Sequence, residues 1–152
     1  IIIYPYQGEN MAFDNQETAY QYFSNHVGQD TYLNWVKSEF AKVTEPIQLI
    51  GFSIGATVAW HLSETDDFNF KQVICFYGSQ IRAFTDVQPK CPTQLIFAQT
   101  EPSFSVTSLI DTLNGRQNTS IEHTPYQHGF MSKLSANYHR AAYLAYLNVL
   151  KK

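Results

Sequence analysis

The 152-residue chain is expected to adopt an α/β fold, with a mostly parallel sheet and helices on both faces. Three observations carry that expectation. Short apolar runs alternate along the chain with segments of helical periodicity, and parallel neighbours need the crossover connections that such helices supply. The strand-like runs are apolar throughout rather than alternating, as strands covered on both faces are. A Gly-x-Ser-x-Gly sequence, Gly51 to Gly55, falls where one of these runs gives way to a helical segment.

Ile1 to Tyr4 is a β-branched run closed by Pro5 and reads as a buried strand, followed by a loop through Gly8 and Asn10. Glu17 to Phe23 suits a helical turn or two. Thr31 to Val43 reads as a longer helix with Asp30 as N-cap and with Leu33, Val36, Phe40 and Val43 on one face. Ile47 to Phe52 is a strand bounded by Pro46, and Ile54 to Ser63 is a helix whose small residues Gly55, Ala56 and Ala59 meet the sheet. Further strands are expected at Gln72 to Tyr77, Thr93 to Ala98 and Thr119 to His123, with a long loop leading to Pro92. A helix over Val106 to Leu113 ends at Gly115, a suitable C-cap, and a terminal helix runs from about Lys133 to Leu150. No repeat, low-complexity tract or linker interrupts the series, so one α/β domain is expected over residues 1–152.

Composition narrows the function classes. Hydrophobic residues make up 44% and charged residues 15%, which is globular and too apolar for disorder. A formal charge of -3, with ten Lys and Arg and no basic block, offers no electrostatic footprint for nucleic acid or an anionic membrane. No apolar run approaches the roughly 18 residues of a membrane span. Cys75 and Cys91 lie far apart without metal-ligand spacing, so both read as reduced thiols of a cytoplasmic protein. The opening Ile1-Ile2-Ile3 without an initiator Met suggests a fragment cut into an existing strand.

Chemistry enters at Gly51-Phe52-Ser53-Ile54-Gly55. Glycines at both flanks allow a turn so sharp that side chains there would crowd the backbone, and the serine between them is forced into a strained, exposed conformation. Ser53 at a helix N-terminus is then a candidate nucleophile, with the backbone N–H of Ile54 aimed at an oxyanion. The plainer reading is that Ser53 only caps the helix. A serine hydroxyl needs an imidazole to take its proton and a carboxylate to orient that imidazole. In α/β hydrolases these follow in the order nucleophile, acid, histidine, with the histidine in a loop after the last strand. His128, in a loop with Pro125 and Gly129, fits that place, whereas His26, His61, His123 and His139 fall in or against helices and strands. Glu101, in the turn Gln99-Thr100-Glu101-Pro102 after a strand, is the candidate acid, with Asp86 and then Asp111 as reserves.

With these residues in view the chain resembles the dienelactone hydrolase family of α/β hydrolases. The resemblance rests on Gly51 to Gly55, Phe76-Tyr77-Gly78, Cys91-Pro92, Glu101-Pro102 and His128-Gly129-Phe130. It implies an α/β-hydrolase fold, no metal or organic cofactor, and hydrolysis of a small ester, lactone or related acyl compound. Two departures stand out: the best-known members use a cysteine where Ser53 stands, and the family acid is usually Asp where Glu101 stands. If Ile1 to Tyr4 is the strand before the elbow strand, the fold lacks its N-terminal strands here, and the loop giving the second oxyanion donor lies upstream. Loss of one donor lowers the rate on the order of a hundredfold to a thousandfold.

Aromatics at or after strand ends are candidates for the pocket, since ligands of open α/β sheets bind beyond the carboxyl ends of the strands. They include Tyr4, Tyr6, Phe13, Tyr77 and Tyr126, with Phe52, Phe104 and Phe130 as the selected substrate contacts. The expected partner is a small-molecule ester or lactone; oligomeric state is not legible. Two other functions share the same motifs: a weak or inactive hydrolase-fold protein that binds a ligand or partner, and acyl transfer or thioester hydrolysis.

Overall fold

The computed structural model describes residues 1–6, 9 and 11–150, so Gly8 and Asn10 of the expected early loop lie outside the described residues. The chain divides into two compact units, 1–45 and 46–152.

In the first unit, α1 covers Gln16–His26 and α2 covers Gln29–Phe40. Asn15 starts α1 by accepting the Thr18 N–H on its side-chain oxygen at 2.9 Å, which satisfies one of the orphan donors of the first turn. Asp30 is not the cap of α2: the helix begins on Gly28, whose φ of 77° suits a residue without a Cβ, and Asp30 sits within the first turn. Val36 and Phe40 are buried as the periodicity predicts, whereas Leu33 and Val43 are half-buried. The buried face also includes Tyr32, whose hydroxyl donates to the Ile3 carbonyl at 2.9 Å.

Ile1 to Tyr4 is not a strand, contrary to expectation, and Ile1 and Ile2 are 91% and 77% exposed. A β-branched run becomes a strand only where a neighbour takes its backbone hydrogen bonds, and among the described residues none of the strands pairs with it.

The second unit carries a four-stranded parallel sheet in the order β1-β2-β3-β4: β1 Ile47–Phe52, β2 Phe70–Phe76, β3 Thr93–Phe97 and β4 Thr119–His123. Helices α3 (Ile54–Leu62), α4 (Val106–Leu113) and α5 (Arg140–Leu150) make the connections and the end of the chain, with a 3₁₀ turn at Ser79–Ala83 in the long loop after β2. Register shows which face each helix covers. Ile50 pairs with Ile74, and both join the core cluster of Phe76, Ile96, Phe130 and Ala142 against which Tyr143, Tyr146 and Leu150 of α5 pack. Gly51 pairs with Cys75 on the opposite face, where it meets Gly55 and Ala56 of α3. Helices α3 and α5 therefore lie on opposite faces, and the strands are apolar on both sides for that reason.

The expected terminal helix is too long by one loop: α5 starts at Arg140 rather than near Lys133, and Leu134 is 97% exposed. Residues 132–139 instead form consecutive turns through Ser135 N–H to Ser132 O and Tyr138 N–H to Ser135 O. His139 then caps α5, its Nδ1 accepting the Ala142 N–H at 3.2 Å. Gly115, φ 77°, follows the α4 cap Asn114 rather than being the cap itself.

Candidate active site

The site is built at the carboxyl end of β1. Ser53 has φ 53° and ψ -113°, a conformation outside the regions open to L-residues, which costs about 1–3 kcal/mol. The surroundings impose it. The Ser53 N–H donates to Phe76 O of β2 at 2.9 Å, and the Ser53 carbonyl accepts from Ala56 and Thr57 at the start of α3. Gly51 permits the turn, because a Cβ there would lie 2.3 Å from the Gly55 carbonyl oxygen and 2.7 Å from the Ala56 Cα. Ile54 is the first residue of α3, so its N–H belongs to the helix terminus, whose dipole favours negative charge.

Two loops bring the remaining groups to Ser53. The Ser53 hydroxyl is 3.0 Å from His128 Nε2, and His128 Nδ1 is 2.7 Å from Glu101 Oε1. The Glu101 carboxylate accepts a hydrogen bond from Nδ1–H, so the ring proton stays on Nδ1 and Nε2 is the acceptor facing the hydroxyl. The Glu101 side chain is 8% exposed and the His128 side chain 24%, so the acid is shielded while the imidazole remains open to a reactant. Glu101 reaches the ring from a tight turn closed by its bridge to Phe104, with the Arg82 guanidinium 5.0 Å over the Phe104 ring. The reserve acids Asp86 and Asp111 are exposed, and it is Glu101 that meets His128.

The loops that carry Glu101 and His128 are stitched together. The Gln99 N–H donates to Tyr126 O, Thr100 Oγ1 donates to the Gln127 side chain, and Gln127 Nε2 donates to Gln99 Oε1. Thr124 anchors the start of the histidine loop on Phe97 O through both its N–H and its hydroxyl. Asn137 Nδ2 donates to the His128 carbonyl, and Gly129 takes the left-handed conformation that follows it, φ 85°. Sequence reasoning missed Thr124, Asn137 and the glutamines. Short polar residues in loops carry no periodicity, and only contacts distant in sequence give them meaning.

The three aromatic candidates separate. Phe52, 42% exposed, stacks on Phe76 at 5.0 Å beside the serine. Phe104 is half-buried under Arg82. Phe130 is 0% exposed, packed among Phe76, Tyr77 and Tyr146, and has no surface to offer a substrate. Its expected role as a substrate contact gives way to a core role: the residue after Gly129 turns inward, toward α5. Among the described residues, no group of three or more His, Cys, Asp or Glu side chains is placed to hold a metal. No helix among them is long and apolar enough to cross a membrane.

A parallel sheet with a strained strand-to-helix serine, a carboxylate after β3 and a histidine after β4 defines a domain of the α/β-hydrolase class. The chain belongs to the dienelactone hydrolase family, whose model matches residues 3–151. It is 32% identical over 151 residues to YczH, an uncharacterized protein of Bacillus subtilis, an alignment spanning 95% of this chain and 72% of that one. Its fold is similar to the crystal structure assigned to a YdeN-like hydrolase from Pectobacterium atrosepticum, with a TM-score of 0.50 at 19% identity. That match covers 63% of this chain, and the chain spans 55% of the length of that hydrolase. Family membership makes the chain a hydrolase-family protein.

Proposed function

We propose that this protein is a serine hydrolase that cleaves a small ester or lactone through an acyl-enzyme on Ser53. The observation that carries the reading is the continuous hydrogen-bonded series from the Ser53 hydroxyl through His128 to Glu101. In the first half-reaction Ser53 Oγ attacks the carbonyl carbon while His128 Nε2 takes the hydroxyl proton. Glu101 stabilises the resulting imidazolium and holds its tautomer. The carbonyl oxygen becomes an oxyanion within reach of the Ile54 N–H at the start of α3. His128 then gives its proton to the leaving alkoxide, and the C–O bond breaks. In the second half-reaction water attacks the acyl carbon and passes a proton to His128, which returns it to Ser53 Oγ as the acyl C–Oγ bond breaks and the carboxylic acid leaves.

Serine in place of cysteine suits ester cleavage at neutral pH only with a general base, since the hydroxyl is almost never ionised by itself. The 3.0 Å contact to Nε2 meets that requirement. Exposed Phe52 and half-buried Phe104 are the side chains assigned to the acyl or alcohol part of the substrate. Free Cys75 and Cys91, neither paired in a disulfide, favour a cytoplasmic protein.

The test is hydrolysis of p-nitrophenyl acetate by the full chain, followed on the millisecond to second scale. A burst of nitrophenolate close to one equivalent, absent from Ser53→Ala, supports the acyl-enzyme. Turnover that persists at full rate in Ser53→Ala sinks it.

A further inference from the structure

We propose that Tyr77 is a positioning residue that holds the His128 ring in line with Ser53, an inference that rests on the serine-hydrolase reading above. Three features of Tyr77 are unexplained by packing alone. It has φ 41° although it is a bulky aromatic residue, a conformation rarely seen except where the surroundings over-determine it. The strain falls directly after β2, where the backbone is closely packed: a Cβ on Gly78 would lie 2.7 Å from Ile81 Cδ1 and 3.0 Å from the Ala56 Cβ. The turn also puts the ring, 3% exposed, against the His128 imidazole at 4.9 Å between centroids and 51° between planes.

Tyr77 is held through its backbone N–H, which donates to Ile96 O at 2.7 Å, and the Met131 backbone of the histidine loop is near enough to act on its phenol. Burial drives that phenol well above its ordinary pKa, which keeps it neutral beside the imidazole. Phe130 lies 5.4 Å away on the same ring, which makes Tyr77 the wall between β2 and the loop that carries the base.

An imidazole held only by Glu101 at Nδ1 is free to swing about that contact, and Nε2 moves with it. A flat, immobile face beside the ring removes that freedom. The strained backbone at Tyr77 is the means by which the face reaches it. The turn at Ser53 exposes the nucleophile, so two successive strands, β1 and β2, are each followed by a positive-φ non-glycine residue beside one proton transfer.

The test compares Tyr77→Phe and Tyr77→Leu with the wild-type chain by two measurements. One is the second-order rate of fluorophosphonate labelling at Ser53. The other is the Nδ1 proton resonance of His128, moved far downfield by its carboxylate partner and assigned by its loss in His128→Ala. Tyr77→Phe keeps the face and loses the phenol's interaction with the Met131 backbone, so exchange of the Nδ1 proton should quicken and labelling should fall about twofold to fivefold. Tyr77→Leu loses the face, and labelling should fall about tenfold to a hundredfold with the resonance broadened away. Leu113→Ala, which empties core volume under α4, should lower stability while leaving the resonance intact. Should Tyr77→Leu not fold, the Phe variant decides. Unchanged proton exchange and labelling in the folded variants would overturn the proposal. A wild-type protein that shows the resonance but never labels would sink the hydrolase reading instead, since the resonance reports the His128–Glu101 pair without turnover.

Discussion

Replacing Gly51 by alanine adds one methyl group at the tightest point of the elbow. That Cβ would sit 2.3 Å from the Gly55 carbonyl oxygen, 2.5 Å from its carbon and 2.7 Å from the Ala56 Cα, all of them backbone atoms of α3. Ordinary contact requires about 3.4 Å, so the start of α3 must move away from β1 by about 1 Å. No side chain can yield in its place. Overpacking of this kind destabilises by about 1–3 kcal/mol, and for a chain of this length that corresponds to a fall in Tm of roughly 2–12 °C. The functional loss should be larger, because the displaced helix begins with the Ile54 N–H directly after Ser53, and a 1 Å misplacement lowers rate on the order of a hundredfold. The control is Gly115→Ala, where φ is 77° but nothing lies within 4 Å of the added methyl. That variant should lose about 1 kcal/mol through backbone strain and label normally. Thermal denaturation and fluorophosphonate labelling of the three proteins check the argument. Wild-type labelling by a Gly51→Ala protein of unchanged Tm would refute the crowding account.

Further outcomes follow from the same geometry. Glu101→Gln preserves the shape of the acid loop but allows its amide to donate to His128 and favour the wrong tautomer, so kcat should fall on the order of 10³–10⁴-fold with little change in Tm. An equal loss of kcat and folding would instead mark Glu101 as structural. Burial raises the Tyr32 phenol from 10.0 to about 12. Because the folded value lies above the unfolded one, the stability tied to the neutral phenol is present below pH 10 and is lost as pH climbs toward 12. Denaturation midpoints between about pH 9 and 12 should therefore fall less steeply in Tyr32→Phe, and parallel curves would contradict this. Burial also raises both thiols, most of all fully buried Cys75. Iodoacetamide on the native protein should modify half-exposed Cys91 slowly and Cys75 only after unfolding, as peptide mapping would reveal.

Much of the second unit was legible because its signals are local. Ile47 to Phe52, Val106 to Leu113 and Thr119 to His123 have the observed bounds, since each is a compact apolar run with punctuation at both ends. The positions of Ser53, Glu101 and His128 after β1, β3 and β4 were legible too, because a strand-helix junction and two strand ends locate them independently. Where reading failed, the deciding contact was distant. Ile1 to Tyr4 has strand composition, yet a ladder partner is a tertiary property. Lys133 to His139 has apolar and helix-forming residues, but Ser132, Ser135 and His139 use their polar groups to form turns and a cap. Phe130 follows a loop glycine, as pocket residues often do, and only the packing of α5 makes it core. The strain at Tyr77 has no sequence signature, since nothing in Phe76-Tyr77-Gly78 distinguishes a left-handed tyrosine from the end of a strand.

The most direct measurement is fluorophosphonate labelling of the full chain with tryptic mapping of the modified residue, repeated on His128→Ala. The account predicts stoichiometric modification of Ser53 in the wild type and a labelling rate reduced by several orders of magnitude without the imidazole. A folded wild-type protein that takes up no label, or one whose Ser53 labels as fast without His128, would contradict it.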